Sequence, residues 1–399
     1  MNSAPQLSHR ASIMPASPIR KLVPLGDQAK KRGTHVYHLN IGQPDIETPA
    51  EFYEAVREYK EKVIAYGNSQ GIAPFIESLQ QYYASLGIPL DYNQVLITTG
   101  GSEAIMFAMM AIAEPGDEII VFEPFYTNYN GFAIMAGVKL VPIATQAEDG
   151  FHLPAMDVIE AHITPRTRGI IICNPNNPTG TVLDESELLM VRDIALKHNI
   201  YVLSDEVYRE FVYEGRAKSV LELEGLEELA IVMDSLSKRY SLCGGRMGCV
   251  ISRNARFMDV MLRFGQARLC TATLEQIGSA ALVAAGAKYF DGMIAEYRMR
   301  RDATYEELSK IPGVLCRKPS GAFYIMAQLP VADIEDFASW MLTDFSHNGE
   351  TTMIAPGPGF YATQGRGMSE ARLAYVLNAP ACRRAVELIA LGIEEYNRP

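Results

Sequence analysis

Through the middle of the chain, short runs of uninterrupted apolar residues alternate with longer amphipathic stretches. Residues 95–99 are β-branched and lead through Gly100-Gly101-Ser102 into a helical pattern that reaches Ala113. Residues 118–122 predict a second buried strand, followed by a helix ending at Gly137. Strand-like runs at 169–173 and 201–204 bracket a helical segment over 185–199. Ile119-Ile120-Val121 and Ile170-Ile171-Ile172 are apolar at every position, as strands covered on both faces must be. Strands and helices alternating at this spacing predict βαβ units, hence an α/β fold with a mostly parallel, doubly wound sheet.

The texture changes after about residue 290. A charged helical stretch (297–310) leads into a strand-rich unit (313–329), a helix (334–345), a strand (372–377) and a terminal helix (382–396). This pattern predicts a smaller α+β domain. The expected division is an N-terminal segment (1–45), extended and Pro-punctuated, packing on the small domain; a large domain (46–290); and the small domain (291–399).

Composition narrows the function. The 399 residues carry 36 Lys plus Arg against 47 Asp plus Glu, a formal net charge of -11. Such a chain lacks the basic footprint for neutralising phosphates, so neither nucleic acid nor an anionic membrane is an expected partner. Six scattered cysteines form no Cys-x-x-Cys pair, and no metal site is expected. No apolar run approaches the roughly 18 residues of a spanning helix. Residues 1–24 hold Arg10, Arg20 and Lys21 but no apolar stretch of signal-peptide length, so the expected location is cytoplasmic.

Five segments carry candidate chemistry. Gly100-Gly101-Ser102 opens a helix after a strand; it reads as a tight turn with a capping serine or as an anion site of unpaired backbone N–H groups. Asn174-Pro175-Asn176-Asn177-Pro178-Thr179-Gly180 stiffens a turn at the carboxyl end of a buried strand, where α/β sheets bind ligands. Asp205, in Ser204-Asp205-Glu206-Val207-Tyr208, ends another apolar strand and needs either a cation or a capping role. In Ser235-Leu236-Ser237-Lys238, with Arg246 eight residues beyond the lysine, a poorly solvated Lys238 would be nucleophilic, beside donors for a phosphate. Arg372 adjoins an apolar strand and could clamp a carboxylate or form an ordinary ion pair, while Asn40-Ile41-Gly42-Gln43-Pro44-Asp45 is a turn able to close over a site.

In this order, from about Asn40 to about Asn378, these segments resemble the class I/II aminotransferases, the fold type I family that uses pyridoxal 5′-phosphate. Pro319-Ser320-Gly321-Ala322-Phe323-Tyr324 also matches the family's small-domain strand. The resemblance implies that Lys238 carries the cofactor covalently and that Gly101, Ser102, Ser235, Ser237 and Arg246 form its phosphate cup. It places Asp205 against the pyridinium nitrogen, Asn177 and Tyr208 on the phenolic oxygen, and Tyr126 on the ring face. Lys238, Asp205 and Tyr208 are the expected catalytic residues. Tyr66, in Ala65-Tyr66-Gly67-Asn68-Ser69-Gln70-Gly71, matches a tyrosine reaching the neighbouring subunit's phosphate, which implies a homodimer with shared active sites. Arg372, with Asn177 and the backbone of Gly42, is expected to bind the substrate α-carboxylate.

The implied activity is transfer of an amino group from an amino acid to a 2-oxo acid by a ping-pong route. The same cofactor also serves C–S β-lyases and aminocyclopropane carboxylate synthases, and a non-catalytic ligand-responsive module is a third reading that gives Lys238 no purpose beside Asp205. The distal arginine of aspartate enzymes has no evident counterpart. Arg268 is the candidate for it, and Tyr126 stands where many of them have tryptophan.

Overall fold

The computed structural model describes residues 5–398. After β1 (His35–His38), seven strands make the main sheet: β2 (Val95–Thr99), β3 (Glu118–Glu123), β4 (Lys139–Ala144), β5 (Thr167–Cys173), β6 (Tyr201–Asp205), β7 (Ala230–Ser235) and β8 (Met247–Ile251). Their order is β2-β8-β7-β6-β5-β3-β4, and only β8 runs against its neighbours. Both faces of the sheet are buried. Ile120, Phe122, Ile170, Ile172 and Val202 enter one apolar cluster, while Ile119, Val121, Ile171, Leu203 and Ile231 enter another. That division is the period-2 alternation of strand side chains, and it explains the absence of polar positions in these runs. The mostly parallel α/β class expected from the pattern is the observed one.

The last part of the chain adds β9 (Leu315–Cys316), β10 (Tyr324–Gln328), β11 (Glu350–Met353), β12 (Ala355–Pro356) and β13 (Glu370–Ala374). Four of them form a sheet in the order β12-β13-β10-β9, backed by helices Ile334–Thr343 and Ala379–Tyr396. β1 pairs in parallel with β11, which ties the N-terminal segment to this part of the chain.

Three local expectations change. The N-terminal segment is not simply extended, because Val23–Lys31 is a helix with Pro24 in its first turn, where the missing N–H is harmless. The helix expected over 297–310 begins earlier, at Gly286, and ends at Leu308. The strand expected over 372–377 is β13, which starts at Glu370. Glu370 and Arg372 are polar residues two apart on one face, so they resembled a strand boundary; yet their backbones pair with Gln328 and Met326. Arg372 is therefore central in its strand rather than at its start.

Candidate active site

The carboxyl ends of β2, β3, β5, β6 and β7 lie along one edge of the main sheet, because β2 runs parallel to β7 across the reversed β8. Thr99, Glu123, Cys173, Asp205 and Ser235 are their last residues, so the chemistry-bearing turns all leave from that edge.

Lys238 lies in the one-turn helix Leu236–Arg239 that follows β7. Its Nζ donates to the carbonyl of Gly42 at 2.7 Å and lies 3.7 Å from Cys243 Sγ. Burial holds its pKa below the usual lysine range, and the charges of Arg372 and Arg246 push the same way against Cys243. The segment is pinned from beneath. Asp234 pairs with Arg239, accepts a 2.8 Å hydrogen bond from the Tyr83 hydroxyl and takes the Ser235 N–H at 2.7 Å, all out of water. Arg209, which pairs with Glu206, also donates to Tyr83 at 3.0 Å. Breaking a buried ion pair of this kind leaves an uncompensated charge, so the backbone around Lys238 has little freedom to shift.

Asp205 is 6% exposed. Its Oδ2 accepts from the Tyr129 hydroxyl at 2.8 Å and its Oδ1 lies 3.4 Å from the Val207 N–H. Among the described residues no cation pairs with it. Burial pushes its carboxyl up to about 6, with Asp234 and Glu206 adding to the rise against the two hydrogen bonds. The capping role weighed for Asp205 is not what the structure shows, since no helix follows β6 directly.

Beside it, helix Gly100–Ile112 begins immediately after β2, with Gly101 and Ser102 half-buried in its first turn. Ser235 Oγ lies 2.8 Å from Ser237 Oγ and 2.9 Å from the Met247 carbonyl. Arg246 is exposed, in the left-handed region with φ 52°, and donates to the Cys243 carbonyl at 3.0 Å. Two glycines make the cradle possible. A Cβ on Gly100, at φ +71°, would run into the Arg246 guanidinium; one on Gly248 would sit 2.6 Å from the Gly100 carbonyl carbon.

Arg372 is 2% exposed. Nη1 donates to Asn177 Oδ1 at 3.0 Å and Nη2 to the Asn40 carbonyl at 2.6 Å, while Nε has no partner among the described residues. Its Cζ lies 4.5 Å from the Tyr324 ring centroid and 4.9 Å from that of Phe360. Among the described residues no carboxylate pairs with it, so the ordinary ion pair is ruled out for those residues. Asn177 Nδ2 is 3.5 Å from the Tyr208 hydroxyl, which in turn is 2.7 Å from that of Tyr324. Tyr126 joins the same cluster: burial raises its pKa, and the charges of Asp205, Arg372 and Arg246 all reach its hydroxyl.

A family model, Aminotransferase class I and II, matches residues 34–348. The chain belongs to the class I and II aminotransferases. It is 31% identical to an aspartate aminotransferase of Pyrococcus horikoshii, covering 97% of each chain. It is 30% identical to aromatic-amino-acid aminotransferase 2 of Thermococcus litoralis, over 89% of this chain and 90% of that one. Among solved structures, a Thermus thermophilus aspartate aminotransferase mutant superposes with a TM-score of 0.89 at 27% identity, covering 97% of this chain and 100% of that one. An alanine aminotransferase from Pyrococcus furiosus gives 0.88 at 29% identity over 98% and 100%. These relatives bear transaminase names, and nothing in the comparison favours the eliminating alternatives.

Within this aminotransferase, the residues gathered at the sheet edge are Gly42, Gly101, Ser102, Tyr126, Asn177, Asp205, Tyr208, Ser235, Ser237, Lys238, Arg246 and Arg372. Tyr66 is not among them: the residue is 82% exposed. Arg268 is placed elsewhere too. Its guanidinium pairs with Glu103 at 3.5 Å and reaches the Ile97 carbonyl at 3.2 Å, so it braces the start of helix Gly100–Ile112. Sequence reasoning missed Tyr129 and Tyr324 as individual contacts. Both sit in quoted or adjacent motifs, but only the packing shows that one bonds Asp205 and the other Tyr208. It missed Gly248 also, whose signal was its position on the strand next to Gly100.

Proposed function

We propose that this chain is a pyridoxal 5′-phosphate-dependent amino-acid transaminase, working in the cytoplasm as a homodimer, with Lys238 as the attachment point. The observation that carries the reading is a pair of buried opposite charges, Asp205 and Arg372, without counter-ions among the described residues and assembled around an amine of lowered pKa. A buried charge is unfavourable unless a partner arrives, so the site suits a ligand with a cationic ring nitrogen at one end and a substrate with a carboxylate at the other.

The residues present fit the cofactor. The first turn after β2, Ser235, Ser237 and Arg246 supply backbone, hydroxyl and guanidinium donors for its phosphate. Asp205, kept in place by Tyr129, would hold the ring nitrogen. Asn177 and Tyr208 would hold its ring hydroxyl oxygen, and Tyr126 would offer the ring an aromatic face. When bound, the cofactor supplies an aldehyde carbon that joins amines and a ring that takes up the electrons of a broken Cα–H bond.

The protein supplies the rest. Arg372 orients the substrate α-carboxylate through its planar fork, steadied by Asn177 and by the loop at Gly42. Lys238, largely unprotonated over a wider pH range than an exposed lysine, takes a proton at Nζ and returns it. Its 2.7 Å bond to the Gly42 carbonyl keeps that amine oriented while free. Tyr53, Val63, Ile64 and Tyr66 are exposed large side chains on one stretch of chain, which supports the pairing of two subunits there, with Tyr66 completing the neighbour's phosphate cup.

The test is a set of half-reactions. Purified protein loaded with pyridoxal phosphate is mixed with a panel of amino acids and followed by absorbance. Conversion to pyridoxamine phosphate, with turnover only when a 2-oxo acid acceptor is added, is expected. Turnover of cystathionine to pyruvate and ammonia with no acceptor, or a spectrum no amino acid alters, overturns the proposal.

A further inference from the structure

We propose that Glu123 is a positioning residue for the carboxylate-binding arginine: its buried carboxylate latches the loop of residues 357–366 to the end of β3 and so holds Phe360 over Arg372. The proposal rests on the reading of Arg372 as the carboxylate binder.

Glu123 is the last residue of β3 and is 1% exposed. Its Oε2 accepts from two successive backbone N–H groups, Ala362 at 3.0 Å and Thr363 at 3.1 Å, and its Oε1 lies 3.7 Å from Arg366 Nε. Two residues further on, the Phe125 N–H donates to the Phe360 carbonyl at 2.9 Å. The loop is thus gripped from the main sheet at both its aromatic tip and its far side. Phe360 is fully buried with Tyr361, Met326, Ala355 and Phe151, and Ile19 packs on the cluster.

A carboxylate out of water must be satisfied by hydrogen bonds or charge. Among the described residues every polar partner of this one comes from the 357–366 loop, so the comfort of Glu123 and the position of Phe360 are one free energy. A carboxylate taking two adjacent amide N–H groups is a strong acceptor, about twice a neutral one. Phe360 and Tyr324 keep water from the Arg372 guanidinium, which strengthens its pull on a substrate carboxylate. Loosening the loop would wet that guanidinium and weaken carboxylate binding in ground and transition states alike, a change in KM rather than in kcat.

The experiment compares wild type, Glu123→Ala, Glu123→Gln and Arg372→Lys. Amide hydrogen exchange over residues 360–366 is read on the full chain without cofactor, and steady-state kinetics on the loaded enzyme. Glu123→Ala is expected to exchange these amides about tenfold faster or more, with the strands of the main sheet unchanged. Its KM for both amino donor and 2-oxo acid is expected to rise about tenfold with kcat within about threefold. Glu123→Gln keeps one acceptor oxygen and should fall between; if the alanine variant does not fold, Glu123→Asp, one methylene too short, replaces it with the same expectation. Unchanged exchange, or faster exchange with unchanged KM, overturns the latch. If Arg372→Lys also leaves KM unchanged, the site reading has failed; if only the Glu123 variants are silent, the latch alone has.

Discussion

Replacing Asp205 by asparagine should make the cofactor-free protein more stable, although it disables the site. The carboxyl is raised from an ordinary value of 3.8 to about 6, chiefly by burial. Below about pH 4 the group is protonated in both folded and unfolded chains, and burial brings no ionic penalty. As pH rises toward about 6 the unfolded chain releases its proton freely while the folded one resists, so stability falls across that window; above it the full penalty stands. The gap corresponds to about 3 kcal/mol at neutral pH. Asparagine escapes the penalty and keeps an oxygen for the Tyr129 hydroxyl, now bonded at 2.8 Å. Allowing about 1 kcal/mol for the less favourable amide at Val207, the variant should gain about 2 kcal/mol at pH 7.5 and almost nothing at pH 4.5. Urea unfolding of the cofactor-free proteins at equal concentration, at both pH values, measures this. With pyridoxal phosphate present the ranking should reverse, because the ionised carboxylate then meets a cation. An asparagine variant no more stable than wild type at pH 7.5, or a difference independent of pH, would refute the account of Asp205 as a buried charge awaiting its partner.

Lys238→Ala should leave the fold intact but abolish borohydride trapping of pyridoxal phosphate, read as the mass of the reduced adduct; trapping at the wild-type level would remove Lys238 from its assigned place. Gly42→Ala places a Cβ within the volume of the Tyr324 hydroxyl, so activity should fall sharply and recover in part when Tyr324→Phe is added. Equal losses in single and double variants would show that the close approach at Gly42 is not what matters there.

Much of the fold was legible in local pattern. The uninterrupted runs at Ile119–Val121 and Ile170–Ile172 could only be strands covered on both faces, and the turn chemistry of 174–180 and 100–102 marked where the chain leaves the sheet. The spacing from Ser235 to Arg246 likewise marked one segment of clustered donors, because its residues are near neighbours along the chain. Where polar side chains interrupt a strand for a reason outside it, the pattern misled: Glu370 and Arg372 belong to β13 but looked like its edge.

What the chain by itself determined, then, was which elements form and which of their ends carry reactive side chains, since these follow from backbone preference and short-range alternation. Tertiary structure alone decided which of those ends meet and what each charge finds there. Arg372 could have been an ordinary ion pair until packing put it out of water against Asn177, 195 residues away, with no carboxylate of the described residues beside it. Glu123 lies just past the strand predicted over 118–122, and nothing near it in sequence shows that its carboxylate meets Ala362, 239 residues on. The free energy of a buried charge depends on its whole surroundings, and those surroundings come from segments far apart in sequence.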